Sequence, residues 1–189
     1  QEQHSPYPEF VLSRELPDGG FSREAFAPPG EWSSPGLGLA VAADGTTFVA
    51  YPDDSLREVW LATSVAGGLP DGGHFMNESV DDGELPTLAL DHAGAVHFAY
   101  VKPQNLQPAV WVAQRASDGG WERSVVEHID ATGTGLVGQP VVLFDAAGAE
   151  HVVYRVLGNG PEGGLHHVSG GVVTVLPATG PGRTPIAAA

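Results

Sequence analysis

The sequence contains no cysteine, which excludes disulfides, thiolate metal sites and cysteine nucleophiles. It is also poor in cations. Lysine and arginine together number 8 against 23 aspartates and glutamates, a formal net charge of -15. Lys102 is the single lysine. Phosphate binding needs a basic stripe, so no nucleic acid and no anionic membrane surface is expected as a partner. Long apolar runs are missing too. No segment approaches the roughly 20 apolar residues of a membrane span. The acidity reads first as solubility, and as a function it points to cations or basic ligands. The chain opens on Gln1 rather than Met, which leads to the expectation of a removed signal peptide.

What the sequence does have is punctuation. Glycine (26 residues) and proline (16 residues) interrupt short apolar segments, the pattern of many strands joined by turns. The punctuation repeats. Asp18-Gly19-Gly20-Phe21, Asp71-Gly72-Gly73-His74, Asp118-Gly119-Gly120-Trp121 and Ser169-Gly170-Gly171-Val172 are spaced by 53, 47 and 51 residues. Gly45, Gly94 and Gly148 each precede a tyrosine by six positions: Tyr51, Tyr100 and Tyr154. Pro35, Pro86, Pro140 and Pro185 each open an apolar run.

Each unit reads as four strands, A to D. The predicted strands of one unit are Thr87 to Leu90, Val96 to Val101, Val110 to Ala113 and Trp121 to Glu127. Strand B is apolar at consecutive positions, as in Phe48-Val49-Ala50-Tyr51 and Phe98-Ala99-Tyr100. A one-sided sheet would alternate, so both faces of these sheets are expected to be covered. Four strands in about 50 residues correspond to one blade of a β-propeller. The fold class is therefore all-β: a propeller of four-stranded antiparallel blades. Its divisions are residues 1–33 (tail and half blade), 34–84, 85–137 and 138–182 (one blade each) and 183–189 (the start of another). That count leaves the ring incomplete, and another segment of the same precursor or a second subunit is expected to complete it.

Ala89-Leu90-Asp91-His92-Ala93-Gly94-Ala95-Val96-His97-Phe98-Ala99-Tyr100 and, more loosely, Phe144-Asp145-Ala146-Ala147-Gly148-Ala149-Glu150-His151-Val152-Val153-Tyr154 carry a recurrent pattern. It resembles that of bacterial propeller repeats of the Ala-Leu-Asp-x-x-Gly-x-x-His-Val-Ala-Tyr kind. The second unit departs from it, with Ala42 for the Asp and Phe48 for the His. The repeats are distantly similar to the Asp-box of sialidase-like propellers, without the full Ser-x-Asp-x-Gly-x-x-Trp motif. The resemblance implies the fold and an extracellular or cell-envelope location; it implies no particular activity.

The candidate residues divide by repeat position. His97, His151 and His166 sit in register with Phe48, Trp60 and Trp111 and are expected to pack. Asp91 and Asp145 are expected to cap turns. No cofactor is expected, calcium at those two turns being the alternative, and no metal or catalytic residue is assigned. The B–C and D–A loops differ in every unit, and variable polar loops on a rigid scaffold are where ligands bind. They supply the candidate ligand-binding set: Trp32, Asp53, Asp54, Arg57, Asp81, Asp82, Lys102, Gln104, Asn105, Arg155, Asn159 and Glu162. Changes in the Asp53–Arg57 loop are expected to leave stability nearly untouched. The functional expectation is a non-enzymatic binding or scaffolding module for glycan or protein. The alternatives are a glycan-active enzyme of sialidase or polysaccharide-lyase type, and a structural subunit completed by another chain.

Overall fold

The computed structural model describes residues 10–15, 18–26, 36–64, 75–103, 107–129, 136–157 and 163–177. Among these residues the protein is all-β. Strands β1 (Phe10–Glu15) and β2 (Phe21–Phe26) form an antiparallel hairpin. The second sheet runs in the order β3 (Gly38–Val41), β4 (Thr47–Asp53), β5 (Glu58–Thr63), β6 (Met76–Asp82). The third repeats it with β7 (Glu84–Leu90), β8 (Val96–Lys102), β9 (Ala109–Arg115) and β10 (Trp121–His128). In the fourth, β11 (Leu136–Val137) and β12 (Val141–Phe144) lie end to end along β13 (Glu150–Leu157). β14 (Gly164–Ser169) and β15 (Val172–Pro177) follow. Every pairing is antiparallel, and the described sheets do not form a closed ring.

The recurrent glycines have a backbone reason. Gly45, Gly94 and Gly148 end the A–B turns at φ of 87°, 82° and 84°, a region that favours glycine. The N–H of each donates to the residue three back: Ala42, Asp91 and Asp145. Asp91 Oδ1 accepts the N–H groups of Ala93 and Ala95, both at 2.8 Å. Asp145 Oδ1 does the same for Ala147 and Ala149, at 2.8 and 2.9 Å. These two aspartates cap their turns as the sequence suggested.

The sheets stack face to face. Successive residues of a strand point to opposite faces, so a B strand covered on both sides serves two cores. Phe98 and Tyr100 of β8 pack with Ala50, Val59 and Leu61 of the second sheet. Ala99 and Val101 pack with Val152, Tyr154 and Val156 of the fourth. This is why β8 is buried at every position from Val96 to Lys102, whereas β13 alternates between buried and half-buried. One face of β13 meets the third sheet. Its other face, with His151, Val153 and Arg155, meets no described sheet. Adjacent sheets also touch at their A strands. Thr87 Oγ1 donates to the Pro140 carbonyl at 2.9 Å, and Gln139 Nε2 donates to the Pro86 carbonyl at 3.0 Å. Gly38 of β3 lies so close to β7 that a Cβ there would meet the Leu88 nitrogen at 2.6 Å.

Several boundaries differ from the sequence reading. β7 begins at Glu84 rather than Thr87 because a register shift between Glu84 and Thr87 absorbs Leu85 and Pro86. β6 extends to Asp82, so Asp81 and Asp82 are strand residues rather than D–A loop residues. Asp53 and Lys102 close β4 and β8, inside the ladder rather than in the B–C loops.

Candidate functional site

Five of the candidate residues, Trp32, Gln104, Asn105, Asn159 and Glu162, lie outside the described residues. The other seven fall into three groups. Asp53, Asp54 and Arg57 belong to the β4–β5 turn, Asp81, Asp82 and Lys102 form one ionic cluster, and Arg155 stands apart on β13.

Asp53 is not the exposed loop residue that was expected. It is buried, and its Oδ1 accepts the N–H groups of Ser55 and Leu56 at 3.0 and 3.1 Å and the Ser55 hydroxyl at 2.6 Å. Its chemistry is spent on shaping the turn, which holds Arg57 at φ 55°. Substituting Asp53 therefore removes three hydrogen bonds, and the expected neutrality applies only to Asp54 and Arg57. The Arg57 carbonyl accepts the Gly83 N–H at 2.8 Å, which ties this turn to the β6–β7 junction. Burial raises the pKa of Glu84 there; the Asp54 charge adds to the shift and Arg57 opposes it.

The second group spans two sheets. Lys102 Nζ lies 2.8 Å from Asp81 Oδ2 and 2.7 Å from Asp82 Oδ1, and 4.6 Å from the centre of the Trp111 ring. Burial opposes the lysine's charge, but its bonds to Asp81 and Asp82 outweigh that and hold its pKa above the usual value. Asp82 is held below the usual carboxylate range, chiefly by its bond to Lys102. Asp81 Oδ2 also accepts the Tyr100 hydroxyl at 2.5 Å. Burial, then that bond, pushes the phenol's pKa well up.

This contact recurs one sheet further on, where the Tyr154 hydroxyl donates to Glu127 Oε2. The same oxygen lies 2.9 Å from Nδ1 of the buried His166. Asp81 pairs with Val59 and Glu127 with Val110, the same repeat position. Both follow a bulge, since the register skips Val80 in β6 and Val126 in β10. A bulge bends the outer strand and re-aims the next side chain. Here it turns an acid toward the tyrosine of the following sheet. Sequence reading missed these latches, although the recurring spacing of Tyr100 and Tyr154 was visible. The acids differ in type, and the extra residue of a bulge leaves no mark in the apolar pattern.

His97 Nε2 lies 3.6 Å from Asp91 Oδ2, and His151 Nε2 lies 3.3 Å from Asp145 Oδ2. The Asp-x-x-Gly-x-x-His spacing thus brings each histidine back onto its own turn aspartate. The second unit loses both members together, as Ala42 and Phe48. His151 Nδ1 also lies 2.8 Å from His167 Nε2, with the two rings stacked. His166 points to the opposite face, as alternation requires. Among the described residues, no group of three or more His, Asp or Glu side chains is placed to hold a metal ion. Among the described residues, no helix is long and apolar enough to cross a membrane.

The turn aspartates give a pH expectation. Backbone N–H bonds, Ala149's foremost, and the His151 contact lower the pKa of Asp145. Burial opposes the shift at Asp91, but the N–H groups of Ala95 and Ala93 and the His97 contact outweigh it. A depressed folded pKa stabilises fully above the unfolded value and is lost as pH falls through the folded one. As pH falls below about 4, the wild type should therefore lose more thermal stability than an Asp91→Asn/Asp145→Asn double variant. Parallel melting curves across that range would refute the assignment.

No family model matches the chain, and a search of curated proteins finds no match.

Proposed function

We propose that this chain belongs to a β-propeller, secreted or displayed at the cell surface, that serves as a non-enzymatic binding or scaffolding module for glycan or protein. The observation that carries this reading is a contrast between the two ends of the sheets. At the A–B end the turn aspartates repeat and are consumed by capping. At the B–C end they differ from sheet to sheet, and Asp54, Arg57 and Asp82 reach the surface. Acid exceeds base there, with Asp54, Asp81, Asp82 and Glu84 against Arg57 and Lys102, which favours a ligand presenting basic groups.

Alanine at Asp54, Arg57 and Asp82 together should abolish ligand capture on glycan and cationic-peptide arrays. The unfolding free energy should move by only about 0.5 kcal/mol each for Asp54 and Arg57, and by more for Asp82, which gives up its bond to Lys102. Capture unchanged in the triple variant would refute the assignment of the binding end.

The same reading includes a further sheet over the open face of the fourth. The equivalent faces of the second and third sheets are each covered by the sheet that follows. On the fourth, Val172 is 66% and Leu176 53% exposed. Another segment of the same precursor or a second subunit supplies the cover. Sedimentation velocity should show the 189-residue chain self-associating, and Val172→Lys with Leu176→Lys should suppress it. A wild-type chain that stays monomeric at high concentration would exclude the need for a cover.

A further inference from the structure

The two sheet interfaces are built on the same plan but filled differently. Between the second and third sheets, the outer space is plugged. The Trp121 ring packs edge-on against Phe98, with centroids 5.3 Å apart. The Arg115 guanidinium stacks 4.2 Å from the Trp121 ring centre and pairs with Glu78, with Nη1 to Oε2 at 3.0 Å.

Between the third and fourth sheets, every member of that plug is smaller. The strand registers place Val152 where Phe98 stands, Gly170 for Arg115 and Gly171 for Trp121. On the facing sheet they place Val112 for Leu61 and Ser124 for Glu78. The result is a cleft of about 460 Å³ lined by these five residues among others. It continues into a second of about 260 Å³, with which it shares Val112, Ser124 and Glu150. The glycines cannot easily be anything else, because Gly170 and Gly171 turn the chain at φ of 57° and 76°.

One replacement runs the other way. Glu150 occupies the position of Val96, and His97 that of Phe48. The Glu150 carboxylate lies 2.9 Å from His97 Nδ1 and lines the cleft. A charge therefore stands in this interface where the other has only apolar contact.

We propose that this cleft is a binding site for a flat aromatic group carrying a cationic nitrogen. The ring takes the space that Trp121 fills in the neighbouring interface, between Val112 and Val152. The cation takes the role of the Arg115 guanidinium and is met by Glu150. The site lies at the A–B and C–D turn end, away from the loops on which the proposed function rests, and stands independently of that reading.

Tryptamine tests it, titrated into the 189-residue chain and followed by amide NMR shifts. Saturable shifts are expected at Ser124, Gly170 and Gly171. Indole-3-propionate, which keeps the ring and reverses the charge, should bind at least roughly fivefold more weakly, and Glu150→Gln should weaken tryptamine by a similar factor. Ser124→Trp should fill the cleft and abolish binding. Val112→Phe gives the same reading from the other wall if Ser124→Trp does not fold. Absence of saturable shifts at those amides, or equal response to the two indoles, would overturn the proposal.

Discussion

Replacing Tyr100 by alanine is expected to destabilise the protein by roughly 3–5 kcal/mol, the range for removing a buried aromatic side chain. Tyr100 is fully buried. Its ring lies against Gly83, where a Cβ would come within 2.7 Å of Tyr100 Cδ2, so the backbone there has no side chain with which to fill a vacated space. Tyr100→Phe separates packing from the latch. It keeps the ring and deletes only the bond to Asp81, and should cost about 1 kcal/mol. Asp81 retains Lys102 at 2.8 Å and Arg123 at 3.5 Å, so the carboxylate is not stranded. Urea denaturation measures both variants. Equal costs for the two would mean that the hydroxyl, rather than the ring, holds the second and third sheets together.

The second large effect is expected at Glu127. Its Oε2 accepts the Tyr154 hydroxyl and lies 2.9 Å from His166 Nδ1, and both partners are buried. Glu127→Ala takes this acceptor from two buried polar groups, the Tyr154 hydroxyl and the His166 imidazole. Each such group costs about 1–3 kcal/mol, so the variant should lose roughly 2–5 kcal/mol. The size of the loss belongs to the partners left behind more than to the carboxylate itself. Glu127→Ala combined with Tyr154→Phe should therefore be less destabilised than the sum of the two single variants. Strict additivity in that double-mutant cycle would show that the latch is not coupled across the interface. The corresponding change at Asp81 is buffered by Asp82, which also binds Lys102. Equivalent positions in the repeat thus carry unequal weight.

The strands and turns were legible in the sequence because their causes are local. Positive φ favours glycine at Gly45, Gly94 and Gly148 whatever surrounds them. Consecutive apolar residues at Val96 to Val101 announce a strand covered on both faces without saying by what. The alignment of His166 with Trp60 and Trp111 was enough to assign it to packing, and it is buried. The same reading misjudged Asp53, Asp81 and Lys102. Each is a polar residue beside a loop, which from sequence looks like surface. Asp53 and Lys102 are buried and Asp81 half-buried because the ladder runs one or two residues further than the apolar pattern does.

The candidate site was less legible, since it depends on distances between sheets. Asp81 and Tyr100 are 19 positions apart, and Glu127 and Tyr154 are 27 apart. Only stacked sheets, with a bulge in the outer strand, bring each pair together. The cleft is a stronger case. Val112, Ser124, Val152, Gly170 and Gly171 are ordinary residues of four strands and a turn. None signals a cavity, because a cavity arises only where all of the small residues meet. Local backbone rules and periodicity, written in neighbouring residues, therefore determined the repeat, the strands and the turns by themselves. The tertiary structure alone decided which acids are spent in latches, which face stays open and where space is left, because those depend on the register between sheets.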